Sequence, residues 1–156
     1  MDLTCIARSR IFPCSQLGNM TGPFRISERT HAGLILMTEL ANTYGTGVYV
    51  TLKNIAEQMR LSEGYLEEVA AGLKQAQLIQ GRTGPKGGYI LSRAPGAITA
   101  EDIVTALEGP VVFVECQTGA VCPVQHACSS QTLWGSLQKK IVSSLRETTL
   151  AEVASV

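Results

Sequence analysis

Thr51-Leu52-Lys53-Asn54-Ile55-Ala56-Glu57-Gln58-Met59-Arg60-Leu61-Ser62-Glu63-Gly64-Tyr65-Leu66-Glu67-Glu68-Val69-Ala70-Ala71-Gly72-Leu73 is the stretch that decides the fold. Thr51 and Ser62 are of the residue type that starts helices, because a short side-chain oxygen can accept from an unpaired N–H of the first turn. After Thr51, the residues Leu52, Ile55, Ala56 and Met59 share one face of a helix over 52–59. After Ser62, the residues Leu66, Val69, Ala70 and Leu73 do the same over 63–77. Only Arg60-Leu61 separates the two. Short capped helices joined by a tight turn predict a helix-turn-helix, although many helical pairs share that pattern.

The residues after Gln77 narrow the reading. Leu78-Ile79-Gln80 and Gly88-Tyr89-Ile90-Leu91 are extended-type runs around Gly81-Arg82-Thr83-Gly84-Pro85-Lys86-Gly87. A Gly/Pro turn between two such runs predicts a hairpin, and Arg82 and Lys86 make its tip basic. A helix-turn-helix followed at once by a basic hairpin has the layout of a winged helix. The second helix can enter the major groove of DNA while the wing reaches the neighbouring backbone or minor groove.

Upstream, Ser27-Glu28-Arg29-Thr30 offers a helix start, and Leu34, Ile35, Met37, Leu40 and Ala41 supply an apolar face. That helix should stop near Tyr44-Gly45-Thr46-Gly47, and Val48-Tyr49-Val50 then reads as a short extended run. Residues 1–24 hold Pro13, Gly18, Gly22 and Pro23 without helical or strand period, and are expected to be a loosely attached extension.

Downstream, Pro95-Gly96 closes the wing unit, and Thr99-Ala100-Glu101-Asp102 starts a helix over 101–108. Residues 109–129 contain Gly109, Pro110, Gly119, Pro123 and three cysteines, so a loop is expected. The longest helix, 130–146, carries Leu133, Leu137, Ile141 and Leu145 at every fourth position, with Trp134 and Val142 widening the stripe. The chain therefore divides into an extension (1–24), a winged-helix domain (25–95), and a loop with a long helix (96–156). The expected fold class is mainly α with a small β-hairpin wing.

Composition agrees with a soluble, cytoplasmic protein. The chain has 156 residues, 45% hydrophobic and 17% charged, and no apolar run nears a membrane span of roughly 20 residues. Net charge is zero, yet residues 25–95 hold eight basic against six acidic groups, whereas 96–156 hold three against six. A middle more basic than its tail permits nucleic-acid binding there without requiring it.

Cys116, Cys122 and Cys128 stand six apart in one loop, while Cys5 and Cys14 lie in the extension. Zinc sites usually open with cysteines two to four apart, so this spacing fits zinc poorly. Iron–sulfur clusters are held by thiolates and accept a non-cysteine ligand. The bland alternative, three buried thiols acting as small hydrophobes, sits badly with the polar Gln117, Thr118, Gly119 and Gln125 around them. Three thiolates leave one cluster short of a ligand. His126, Gln131 and Glu115 are nearby, and His31 is distant in sequence.

These residues resemble the IscR-type winged-helix transcription regulators, bacterial sensors that carry an iron–sulfur cluster. The resemblance runs from Phe24 to Val153. Its most specific stretches are Leu61-Ser62-Glu63-Gly64-Tyr65-Leu66-Glu67, Gly84-Pro85-Lys86-Gly87-Gly88-Tyr89-Ile90-Leu91, Ala106-Leu107-Glu108-Gly109-Pro110, and the cysteine triplet followed by Leu133-Trp134. It implies a homodimer joined through the long C-terminal helix and bound to double-stranded promoter DNA. It implies a DNA-reading helix with Ser62, Tyr65, Glu67 and Glu68 toward the groove. It also implies a cluster on Cys116, Cys122 and Cys128, most often 2Fe–2S, with 4Fe–4S in the nitric-oxide-sensing branch.

Three departures accompany the resemblance. Gln131 stands where the IscR branch has a ligand histidine, and His31 matches the acidic ligand that the nitric-oxide-sensing branch takes from the partner subunit. Thr83 stands where an arginine usually precedes the wing's Gly-Pro, with Arg82 one step earlier. Residues 1–24 have no counterpart in typical members. The resulting expectation is a DNA-binding regulator controlled by its cluster, with His31 as fourth ligand. The alternatives are a cluster-free thiol/disulfide regulator and, behind it, an iron–sulfur electron carrier. No enzymatic motif is visible.

Overall fold

The computed structural model describes residues 26–84, 87–119 and 121–155; of His126 it describes the backbone alone. The expectations placed on Cys5, Cys14 and Lys86 therefore lie outside the described residues, as does that on the His126 side chain. The architecture is mostly helical with one two-stranded antiparallel hairpin.

Helix α1 (Glu28–Asn42) starts where Ser27 accepts from the Thr30 N–H. Helix α2 (Leu52–Met59) follows Thr51, whose side chain makes no capping hydrogen bond, so position and not a hydroxyl contact marks that start. Arg60 then turns the chain in the left-handed region (φ 54°), and the Leu61 N–H closes onto Ala56 at 3.0 Å. Helix α3 (Glu63–Gln75) ends two residues before the expected Gln77, which itself has φ 58° and cannot continue a helix.

Strands β1 (Ile79–Arg82) and β2 (Gly88–Leu91) pair with Ile79 opposite Leu91 and Arg82 opposite Gly88. Helix α4 (Ala100–Glu108) opens with a reciprocal capping box between Thr99 and Asp102. Two 3-10 turns, Glu115–Thr118 and Gln125–Ala127, punctuate the expected loop. Helix α5 (Gln131–Glu147) is the long helix, and α6 (Leu150–Ala154) is a short one that the sequence reading lacked.

One cluster of apolar side chains holds these elements together: Leu36, Met37 and Leu40 from α1, Ile55 from α2, Leu66, Val69 and Leu73 from α3, with Leu78 and Ile79. Ile98, Ile103, Leu107 and Leu150 belong to the same cluster. The core therefore does not stop at the expected boundary between 95 and 96. The chain returns after α5 because Thr149 bridges to Thr99, the Ala100 N–H donates to Thr148 O at 2.9 Å, and Leu150 N–H donates to Ile98 O at 2.8 Å. Those bonds seat Leu150 at 1% exposure, against α1. Helix α5 differs from the rest. None of its residues is buried, and Leu133 is 60% exposed. No helix among the described residues is long and apolar enough to cross a membrane.

Candidate functional site

The first region is the outer surface of the helix-turn-helix and hairpin. Ser62 caps α3 by accepting from the Tyr65 N–H at 3.2 Å. The inner face of α3 is consumed by Leu66, Val69, Ala70 and Leu73, which leaves Ser62, Glu67 and Glu68 exposed and Tyr65 half-buried against the core. Arg82 is exposed at the end of β1, with its guanidinium carbon 5.7 Å from the centre of the Tyr49 ring. Four of the expected DNA-facing residues thus start one helix, and Arg82 lies on the adjoining hairpin.

The second region is the thiol loop. It leaves α4 at Gly109 (φ 83°), a backbone conformation that glycine adopts without strain, and re-enters helix at Gln131. Cys116, Cys122 and Cys128 are all free and line one cavity of about 360 Å³, together with Gln125, Gln131 and Trp134. Trp134 forms part of the wall at the start of α5 and stacks on Phe113, centroids 6.2 Å apart. The Ser130 hydroxyl, 3.4 Å from Cys128 Sγ, holds that thiol below its ordinary range, aided by the backbone N–H groups of Ser130 and Gln131 and opposed by slight desolvation.

The cavity suits a thiolate-bound group in its donor set, since three free thiols and polar amides face one space. The thiols do not yet converge: among the described residues no three His, Cys, Asp or Glu side chains stand close enough for one metal ion. Of the fourth-ligand candidates, Gln131 lines the cavity, whereas His31 and Glu115 do not. His31 is exposed in the first turn of α1.

Residues without a sequence signature fix this arrangement. Gln117 and Gln138 tie the loop to α5: Gln117 Nε2 donates to Trp134 O at 3.0 Å, and Gln138 Nε2 donates to Val111 O at 2.7 Å. At the other end, the Glu108 carboxylate accepts from the hydroxyls of Ser27 and Thr30, so the helix start that carries His31 is fastened beside the residue where the loop departs. Glu108 could have been singled out from its place in Ala106-Leu107-Glu108-Gly109-Pro110. Glutamines have no periodicity that marks them.

Comparison with known proteins places the chain among transcriptional regulators. The chain is 37% identical over 131 residues to the HTH-type transcriptional regulator CymR of Bacillus subtilis (strain 168), covering 84% of this chain and 90% of that protein. The solved structure of that CymR, described as the global cysteine regulator of B. subtilis, matches with a TM-score of 0.72 over 85% of this chain and 97% of its own. The HTH-type regulator IscR of Yersinia pestis is 34% identical over 106 residues, which is 68% of this chain and 65% of that regulator. The structure of T. potens IscR has a TM-score of 0.68 at 35% identity, covering 85% of this chain and 87% of its own. The profile of the Rrf2 family, described as an iron-dependent transcriptional regulator, matches residues 26–155, from the first turn before α1 to the end of α6, and the chain belongs to that family.

Proposed function

We propose that this Rrf2-family transcriptional regulator acts in the cytoplasm as a homodimer on promoter DNA, with an affinity set by an iron–sulfur cluster on Cys116, Cys122 and Cys128. The observation that carries the reading is the single cavity onto which all three free thiols open, at the foot of α5. When bound, the cluster supplies a link among the three thiolates that is lost or altered by oxidation, nitric oxide or iron shortage.

The chain's own residues convert that link into a response. Gln117 and Gln138 couple the loop to the first two turns of α5, and Arg146 couples the last turn of α5 to Glu101 of α4 through two contacts of 2.7 and 2.9 Å. The stripe of Leu133, Leu137, Ile141 and Leu145 is only partly covered in one chain, with Leu133 60% exposed and the other three half-buried, and a second copy of α5 is the partner that completes its burial. Shifting the loop shifts α5, and with it the separation of the two α3 helices on DNA. Such control requires the loop state to favour one dimer geometry over another. His31 is the fourth ligand in this reading, supplied by the other subunit, because it does not line the cavity of its own chain.

A second reading is a cluster-free regulator whose thiols form disulfides. One observation favours it: the Ser130 hydroxyl 3.4 Å from Cys128 Sγ, which lowers that thiol's pKa and raises its thiolate fraction. Anaerobic purification followed by visible absorption, iron and sulfide analysis, and DNA-binding titration separates the two. A coloured protein whose affinity changes on cluster removal supports the first reading. A colourless, iron-free protein whose affinity follows oxidant and reductant supports the second.

A further inference from the structure

Val50 pairs antiparallel with Tyr89, each N–H donating to the other's carbonyl at 3.0 and 2.8 Å, so residues 49–51 run along the free edge of β2. Side chains in such a ribbon alternate between faces. Ile79 and Leu91 are buried, and Val50 and Tyr89 pack against the core, which makes theirs the inner face. Arg82, opposite Gly88, and Tyr49, next to Val50, take the outer face. The Arg82 guanidinium and the Tyr49 ring, 5.7 Å apart, therefore meet across β2 from the segments on either side of it.

We infer that Tyr49 is a positioning residue for DNA binding, holding the Arg82 guanidinium on the outer face of the wing ready to meet the sugar–phosphate backbone. The inference rests on the reading of the hairpin as a DNA-facing wing. An arginine stacked on an aromatic face keeps its in-plane N–H donors free for phosphate oxygens. It has also already lost much of the side-chain freedom that DNA binding would otherwise remove. Arg82 is exposed, and no carboxylate among the described residues pairs with it, so its charge is available to a ligand. The arrangement answers a particular feature of this sequence: Thr83 occupies the place next to Gly84-Pro85, and the basic residue lies one step back, at the strand end that Tyr49 reaches.

The test is DNA binding by fluorescence anisotropy over a range of salt, using a duplex that the wild-type protein selects from a random pool. Arg82→Ala should weaken binding and reduce the salt slope by about one phosphate contact. Tyr49→Leu should weaken binding roughly two- to five-fold, the worth of an exposed cation–π contact, while Tyr49→Phe retains affinity. In the Arg82→Ala background Tyr49→Leu should add nothing. Pentafluorophenylalanine at position 49 keeps the ring's shape but drains its negative face, and compared with Tyr49→Phe should reproduce the loss without a packing change. Full affinity in Tyr49→Leu and the fluorinated protein, beside a weakened Arg82→Ala, overturns the positioning role alone. A loss in Tyr49→Leu that persists without Arg82 overturns it as well, since Tyr49 then acts on DNA or on the fold directly. An Arg82→Ala protein with unchanged affinity and salt slope overturns the wing reading beneath it.

Discussion

Gln117 Nε2 donates to the backbone carbonyl of Trp134 at 3.0 Å, while Gln117 Oε1 accepts from the N–H groups of Phe113 at 2.7 Å and Val114 at 3.3 Å. One amide thus spans the entry of the thiol loop and the first turn of α5. Replacing Gln117 by Ala leaves three part-buried backbone groups without this partner, at a cost of about 1–3 kcal/mol of local stability. Trp134 is the chain's single tryptophan, so its emission reports the site without interference. Gln117→Ala should shift that emission to the red and increase quenching by acrylamide. The far-UV melting transition of the core should stay near wild type, because Gln117 takes no part in the apolar cluster. An unchanged emission would show that the amide does not hold the loop.

How much of the fold and site was legible depends on how local each signal is. Ser27, Ser62 and Thr99 announce their helices because the capping hydroxyl and the N–H it serves are three residues apart. The pairing of Val50 with Tyr89 and of Thr149 with Thr99 joins residues far apart in sequence, so neither the third edge of the wing nor α6 could be read. A five-residue helix carries too little period, and Leu150 is buried only because the chain returns to α1. The cysteine spacing was legible; the amides of Gln117 and Gln138 were not, since their partners are backbone groups fixed by tertiary structure. The α5 stripe was legible as a helix face, yet within one chain it stays only half-buried, with Leu133 60% exposed.

Ser62 combines two roles that substitution can separate. Its side chain caps α3, and it is exposed at the helix end expected to face DNA. Ser62→Ala should lose about 1 kcal/mol of stability through the uncapped Tyr65 N–H. Ser62→Asp keeps an acceptor there and should match wild type in urea unfolding, while placing a negative charge toward the phosphates. Its DNA affinity should drop well below that of Ser62→Ala. Equal DNA affinities for the two variants would remove Ser62 from the interface.

Gly88 has φ 145°, and a Cβ built on it would stand 2.5 Å from Val50 O. Backbone cannot swing aside as a flexible side chain can. Gly88→Ala should therefore separate the Val50 edge from β2 and cost about 1–3 kcal/mol. Hydrogen exchange reads the change directly: the amides of Val50 and Tyr89, which bond to each other's carbonyls, should lose protection together. Retained protection at both would contradict this account of the wing.

The Arg146 guanidinium holds the Glu101 carboxyl below its ordinary value of 4.5, chiefly by hydrogen bonding, against desolvation and with a smaller contribution from its charge. A carboxyl whose folded pKa is lowered adds stability above its unfolded pKa and loses it as pH falls through the folded value. Wild type should thus be slightly more stable than Glu101→Gln at neutral pH. The gap should close below pH 4.5, and also in high salt, because both side chains meet solvent. A gap that stays constant between neutral pH and about pH 3 would not come from this pair.

His31 sits in the exposed first turn of α1 and does not line the thiol cavity of its own chain. A ligand role is therefore a role across the dimer, and mixed dimers distinguish it from a role within one chain. One subunit carries His31→Ala with its cysteines intact; the other keeps His31 but has Cys116, Cys122 and Cys128 replaced by Ala. If the imidazole crosses over, the cysteines of the first subunit meet the His31 of the second, and the mixed dimer rebuilds one complete site. If it acts within one chain, no complete site exists in that dimer. Tagging the two subunits differently and purifying the mixed species anaerobically should yield one wild-type-like cluster per dimer, more stably held than in the His31→Ala homodimer. Cluster content and release in the mixed dimer no better than in the His31→Ala homodimer would falsify the cross-subunit ligand and turn attention to Gln131, which already faces the thiols.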